Sequence, residues 1–215
     1  MKLKLFGIIC LMLCLTSCNK DTKNLPENFD FGTTENHTYS NSYFGLSFTY
    51  PEDWAVQSKR DIKAITEAGD KILKNETDAI KEAVKASQIN IAYLFTLFRH
   101  PIKEATRYNA SLNVIAENIN GLPHVKRGSD YLFHSKNLLV QSRATYTFDD
   151  NLSTKTIDGH TFDVMRATAR LGSFEVQQEF FCIIRYGFSL SFVLSYTNDE
   201  EKRALYQIIN SITLD

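Results

Sequence analysis

From residue 144 to residue 196 the chain is almost all strand pattern, and this run limits the fold more than any other stretch does. Five segments, at about 144–149, 152–158, 161–170, 174–185 and 188–196, succeed one another with turn-length gaps. Asp158-Gly159 and Tyr186-Gly187 mark two tight turns between them. Strands joined by such short turns pair antiparallel, because a parallel pairing needs a crossover of a dozen residues or more.

Earlier segments add to the same sheet. Over residues 43–51 the pattern reads as a short hairpin: an edge strand, a turn at Gly45, then Leu46, Phe48 and Tyr50 alternating until Pro51 ends the strand. Trp54 follows in an extended segment. Ile89 to Phe98 is apolar on both faces, as expected of a covered central strand, and Pro101 stops its pairing. Asn109 to Ile119 alternates around Ala110, Leu112, Val114 and Ala116.

Helical spacing appears in three places. From Asp61 to Ala86, Ile62, Ile65, Ile72, Leu73, Ile80 and Val84 share one face; Asp61 is the expected cap and Asn75-Glu76-Thr77 a possible interruption. Ser129 is expected to cap a helix whose inward face is Leu132, Ser135, Leu138, Leu139 and Ser142. Thr197-x-x-Glu200 reads as a capping box for a last helix bearing Leu205, Ile208, Ile209 and Ile212. The expected fold is therefore α+β, a mostly antiparallel sheet with helices on both faces, an α/β/α sandwich.

The N-terminus has its own logic. Lys2 and Lys4 precede an apolar run from Leu5 to Leu15, eleven residues long. A membrane-crossing helix needs about 20, so the run reads as the core of a secretion signal. Leu15-Thr16-Ser17-Cys18 resembles the lipobox of bacterial lipoproteins. That resemblance implies cleavage after residue 17 and acylation of Cys18, which then anchors the chain to the inner or outer membrane of a cell envelope. Two or three acyl chains hold firmly where one binds only marginally.

The expected organisation is a signal at 1–17, a lipid-anchored flexible tether at 18–42 and a single domain at 43–215. Residues 19 to about 41, rich in Asn, Asp, Thr, Glu and Ser, show no apolar period. Without Lys2 and Lys4 the 24 basic residues fall to 22 against 25 acidic ones, a net charge of −3. Charge so near neutral and so interspersed speaks against nucleic-acid binding. Cys10 and Cys14 leave with the signal and Cys18 takes the lipid, so Cys182 has no partner for an intramolecular disulfide. It sits in Phe180-Phe181-Cys182-Ile183-Ile184 and reads as a small buried hydrophobe.

Scattered features of residues 43–215 resemble the PsbP/Mog-like fold, which includes the DcrB-type bacterial lipoproteins. Phe44-Gly45-Leu46-Ser47-Phe48-Thr49-Tyr50-Pro51 with Trp54 is similar to that family's opening, and Ser111-Leu112-Asn113-Val114 to its middle strand. Gly159 stands where its hairpin turn does, and Ile209-Asn210-Ser211-Ile212 looks like its terminal helix. The resemblance implies an α/β/α sandwich used mainly for docking to other proteins, with no catalytic residues to carry over. The long helix at 61–86 departs from the family's shorter opening.

Chemical motifs are sparse. No phosphate-cradling glycine loop or nucleophile elbow occurs. Of the histidines, His37 lies in the expected tether, His100, His124 and His160 lie in turns, and His134 lies on the polar side of a helix; none has a metal-ligand spacing. Asp149-Asp150 and Asp158 have the chemistry for acid–base or cation binding but adjoin the turn residues Asn151 and Gly159. Tyr43, Tyr50 and Trp54 suit core packing or an aromatic pocket. Arg99, His100, Lys103 and Arg107, with Lys126 and Arg127, form basic loop clusters that suit solvent, lipid headgroups or an acidic partner.

Cys18 is thus the assigned site, for lipid attachment, with no catalytic, cofactor-binding or metal-ligating residue assigned. The expected function is a non-catalytic docking or accessory module that meets an unidentified envelope protein. The alternatives are a small-molecule or lipid carrier with an apolar cavity, and an envelope hydrolase. Because the Cys18 thiol is the acyl acceptor, Cys18→Ala should leave an unprocessed, slower-migrating precursor. Metabolic labelling with a fatty-acid analogue checks this: label on the Cys18→Ala protein would overturn the lipoprotein reading.

Overall fold

The computed structural model describes residues 25–58, 60–62, 90–105, 108–142, 144–171 and 174–215. Among the described residues, twelve strands make two sheets, and every pairing is antiparallel. The large sheet runs β4 (Ala55–Val56), β5 (Ile91–Phe98), β6 (Ser111–Asn118), β11 (Phe188–Tyr196), β10 (Phe174–Arg185), β9 (His160–Leu171) and β7 (Thr145–Phe148). The strand β8 (Ser153–Ile157) pairs with β9 beyond the end of β7. The small sheet runs β1 (Thr33–Glu35), β2 (Thr38–Asn41), β3 (Leu46–Thr49) and β12 (Thr213–Leu214).

The meander read from the sequence is the body of the large sheet. Its two tight turns hold positive φ at both residues, +48° and +76° at Asp158-Gly159, +51° and +80° at Tyr186-Gly187, as two-residue hairpin turns require. Centrally placed β11 is buried at every position. One face carries Phe188, Leu190, Phe192, Leu194 and Tyr196; the other carries Ser189, Ser191, Val193 and Ser195.

These two faces receive different covers. The large side chains meet the small sheet, through Tyr39, Phe44, Leu46 and Phe48, and the helix α2 (Asp199–Asn210), through Leu205, Ile208 and Ile209. On the other face, Met165, Phe180, Cys182 and Val193 pack under α1 (Gly128–Leu139) through Tyr131, Leu132 and Leu139. The fold is α+β and mostly antiparallel as expected, but a second sheet shares one layer, so a plain α/β/α sandwich does not describe it.

Several local expectations need correction. The tether expected over 18–42 does not hold for its second half. β1 and β2 pair across a turn at Asn36-His37, and Phe29 and Tyr39 are buried in the core; residues 18–24 lie outside the described set. Asp30 fastens this segment, its carboxylate accepting the Gly32 and Ser42 backbone N–H groups (both 2.7 Å) and the Ser42 hydroxyl (2.8 Å). The strand before the Gly45 turn is accordingly 38–41, not residue 43.

Helix starts shift by a few residues. Asn198 caps α2, accepting the Glu201 N–H at 3.0 Å, while Glu201 reaches back to the Thr197 N–H at 2.7 Å. The Thr197-x-x-Glu200 box is therefore not formed: Asn198 is the cap, and the reaching acid is Glu201, which bonds the residue before the cap and not the cap itself. Ser129 is inside α1, with its N–H donated to the Asp163 carboxylate at 2.9 Å. Ser58 takes the capping role expected of Asp61, accepting the Asp61 N–H at 3.2 Å; most of the helix expected over 61–86 lies outside the described residues.

A tether residue and a core residue answer differently to truncation. Phe29→Ala should lower the unfolding free energy by about 3 kcal/mol, the scale of emptying a buried phenylalanine site. Urea denaturation of the two proteins measures it, and an unchanged midpoint would restore the tether reading.

Candidate functional site

Inward-facing charge is costly in a strand, so where it occurs it marks a built site. Glu179, on β10, faces the α2 side with its side chain 1% exposed. The register puts it beside Arg166 of β9 and Leu194 of β11. Its Oε1 accepts the Tyr196 hydroxyl at 2.7 Å and lies 3.2 Å from Lys202 Nζ. Its Oε2 accepts the Tyr206 hydroxyl at 2.7 Å and Arg166 Nε at 2.9 Å. Arg166 also donates from Nη1 to Ser153 Oγ at 2.8 Å, and the ammonium groups of Lys155 and Lys202 sit over the Tyr206 ring.

Burial pushes the Glu179 carboxyl up, but the hydrogen bonds from Tyr206 and Tyr196 and the charge of Lys202 outweigh it and hold the group below its ordinary range. Burial, then the Glu179 hydrogen bonds, push both tyrosine hydroxyls up. Four donors occupy the four acceptor positions of one carboxylate. The group has nothing left with which to take a proton or bind a cation. Chemically it is a clamp that fixes α2, through Lys202 and Tyr206, to strands β9, β10 and β11.

Across the sheet Glu117 on β6 is also buried and accepts the Tyr131 hydroxyl of α1 at 2.6 Å. Cys182 is buried here against the start of α1, where a Cβ on Gly128 would stand 2.4 Å from the Cys182 carbonyl. Burial pushes its thiol up to about 12, which leaves it protonated and inert at neutral pH.

The remaining sequence candidates are dispersed. His160 Nε2 lies 3.1 Å from the Leu214 carbonyl, and Asp158 accepts the Leu214 N–H at 2.8 Å, so both pin β12. The His100 N–H donates to Asn109 Oδ1, and Asn109 donates back to the His100 carbonyl. Arg99 pairs with Glu200 at 2.7 Å, and Arg127 lies 3.6 Å from Asp130. His37 lies 3.9 Å from Glu52. Asp149, Asp150, Lys103 and Lys126 are exposed, and Arg107 is outside the described residues. Trp54 is buried in the core, and Tyr43 and Tyr50 pack against it half-buried.

Folding does bring two histidines together. The His124 and His134 rings stand 4.7 Å apart, although ten residues separate them. Burial and then His124 hold His134 below its ordinary value, against the pull of Asp130. Among the described residues neither imidazole hydrogen-bonds to a Ser, Thr or Cys side chain, and no three His, Cys, Asp or Glu side chains gather as a metal set.

What the described surface does offer is apolar exposure on α1. Phe133 is 61% exposed and Val140, at the helix end, 56%. Seven residues apart, they stand two turns from each other on the outward side, about 10 Å along the axis.

No protein-family model matches the chain, and no curated protein matches it. Solved structures do. The solution structure of cyanobacterial PsbP (CyanoP) from Synechocystis sp. PCC 6803 is similar over 94% of this chain and 99% of that one, with a TM-score of 0.51 and 16% identity. At that identity the likeness concerns the fold alone. LpqN of Mycobacterium tuberculosis, involved in cell envelope biogenesis, covers 79% of this chain and 82% of its own at 12% identity and a TM-score of 0.44. A Pseudomonas aeruginosa protein of unknown function, a putative regulator, covers 52% and 77% at 13% identity and a TM-score of 0.42. These last two are too distant to carry an argument.

The clamp has a pH signature. Glu179 titrates lower in the folded chain than its ordinary value of 4.5, so its contribution is complete above that value and is lost as pH falls through the folded one. Glu179→Gln should flatten this acid limb of stability. Glu179→Ala should cost roughly 1–3 kcal/mol at pH 7, mainly by leaving the buried Tyr196 hydroxyl unpaired, since Arg166 and Lys202 reach solvent. Thermal unfolding across pH 3–7 measures both, and an unchanged acid limb in the Gln variant would show that the clamp contributes nothing.

Proposed function

We propose that this chain is an envelope lipoprotein of the PsbP/Mog-like group, anchored through Cys18 to the inner or outer membrane. Its domain is a non-catalytic accessory module that docks to another envelope protein. The observation that carries the docking role is the outward side of α1. A ring 61% exposed and an aliphatic side chain 56% exposed stand on an element that cannot yield, because Tyr131 and Ser129 bind it to Glu117 and Asp163 beneath. Rigid aromatic anchors of this kind dominate the energy of protein interfaces.

The buried chemistry supports the same reading. A thiol near 12 inside a sheet is no nucleophile, and a carboxylate with four donors is no base. The fold likeness to cyanobacterial PsbP supports the group assignment.

A photo-crosslinking side chain placed at Phe133 or at Val140 in intact cells should give a discrete adduct, and one at the exposed Gln207 of α2 should not. Phe133→Asp should abolish the adduct formed from position 140, a loss of about 2 kcal/mol of binding or more on the scale of a hot-spot residue. Equal adducts from 133 and 207, or none from α1, would overturn the docking role.

A further inference from the structure

Two tight hairpin turns of the large sheet, Asp158-Gly159 and Tyr186-Gly187, share a backbone and differ in what they carry. Asp158-Gly159 uses a residue that tolerates the left-handed region, and spends its carboxylate on the Leu214 N–H at 2.8 Å. Tyr186-Gly187 holds a tyrosine at φ +51° and presents it 59% exposed. A bulky side chain is the poorer choice for that conformation. Strain at an exposed aromatic points to use of the side chain outside the fold.

Tyr186 does not stand alone. The Arg185 guanidinium lies over its ring at 4.7 Å and donates to its hydroxyl at 3.0 Å. Tyr43 lies 6.3 Å away, ring to ring, and Phe29 lies 5.1 Å beyond Tyr43. Phe31, half-buried, stands edge-on to Phe29 at 5.3 Å. The end of the domain formed by the β10–β11 turn and the segment before β1 is thus an aromatic surface with Tyr186 at its crest.

This is also the end at which the chain enters the domain. Leu25 packs against the same core cluster as Phe29, Phe31 and Tyr43. Between Cys18 and Leu25 lie six residues, and the seven Cα steps span about 25 Å at full extension. A domain of this size is about 40 Å across. An acylated Cys18 therefore keeps the Leu25 end nearest the bilayer. Asp199 stands beyond the other end of β11, whose nine residues from Phe188 to Tyr196 span about 27 Å.

We infer that Tyr186, with Tyr43 and Phe31, forms a docking surface for the interfacial layer of the lipid bilayer that carries the chain, so that the domain stands on its membrane in a set orientation. This rests on the lipoprotein reading of Cys18 and deepens it. Tyrosine suits that layer, its ring among the upper acyl segments and its hydroxyl among headgroups. Charge is not the attraction: Asp30 and the terminal Asp215, bonded to Gly45 beside Phe44, offset Arg185 at this end. Docking should therefore occur on zwitterionic lipid and persist in salt.

The test uses the acylated full chain in phosphatidylcholine vesicles containing brominated lipid, with a fluorophore on Glu27→Cys at the aromatic end or on Asp199→Cys at the far end. Strong quenching is expected at 27 and none at 199. Tyr186→Ser should lose most of the quenching at 27, and Tyr186→Trp should keep it. A merely tethered domain would be quenched at 27 with or without Tyr186, which would overturn the inference. So would the absence of quenching at 27, the outcome if the aromatic end met a protein or a second copy instead. Fatty-acid labelling of the same samples separates the premises, since an unlabelled chain overturns the lipoprotein reading itself.

Discussion

The whole architecture depends on β11 being buried on both faces with opposite side-chain sizes. Its Phe188, Leu190, Phe192 and Leu194 face needs a thick apolar cover, and no single helix supplies one of that width. The small sheet and α2 supply it jointly. The serine-rich face is shallow and accepts a close approach instead, and α1 comes close enough that Gly128 meets the Cys182 carbonyl with no room for a Cβ. Sequence alternation on one strand thus decides which layer is thick and which is thin.

Helices laid on a sheet by apolar contact alone are free to slide, because burial is non-directional. Here α1 and α2 are each fixed by a tyrosine that donates to a buried glutamate, Tyr131 to Glu117 and Tyr206 to Glu179. Burying a carboxylate is unfavourable until its acceptor positions are filled. Glu179 meets that condition with donors from β9, β11 and α2, so it fastens three elements at one point.

The segment before β3 joins that scaffold to whatever precedes it. Through Asp30 and the β1–β2 hairpin, residues 29–42 belong to the small sheet and to the aromatic end, so the domain begins well before Tyr43. α1 and the aromatic end are distinct surfaces. One suits a protein partner on a rigid helix; the other lies where the chain leaves for Cys18.

Local pattern determined the meander, two of its turns, the burial of Cys182 and the existence of α1 and α2, but not their ends, since Ser142 and Ile212 of the expected helical faces lie past Leu139 and Asn210. Periods of 2 and 3.6 report which side of an element is covered, and turn residues report where it reverses. Residues 29–42 escaped that reading because Phe29, Phe31 and Tyr39 stand singly among polar neighbours and β1 is three residues long. Asn198 displaced Thr197 as a cap because both residue types satisfy the same donors. Glu179 left little sign, because the same face of β10 carries Glu175, Gln177 and Arg185 beside Phe181 and Ile183. Its partners, 13, 17 and 27 residues away, left none. The meeting of His124 with His134 is of the same kind. A periodic pattern tells an element that it will be covered, and only the packed chain decides by what.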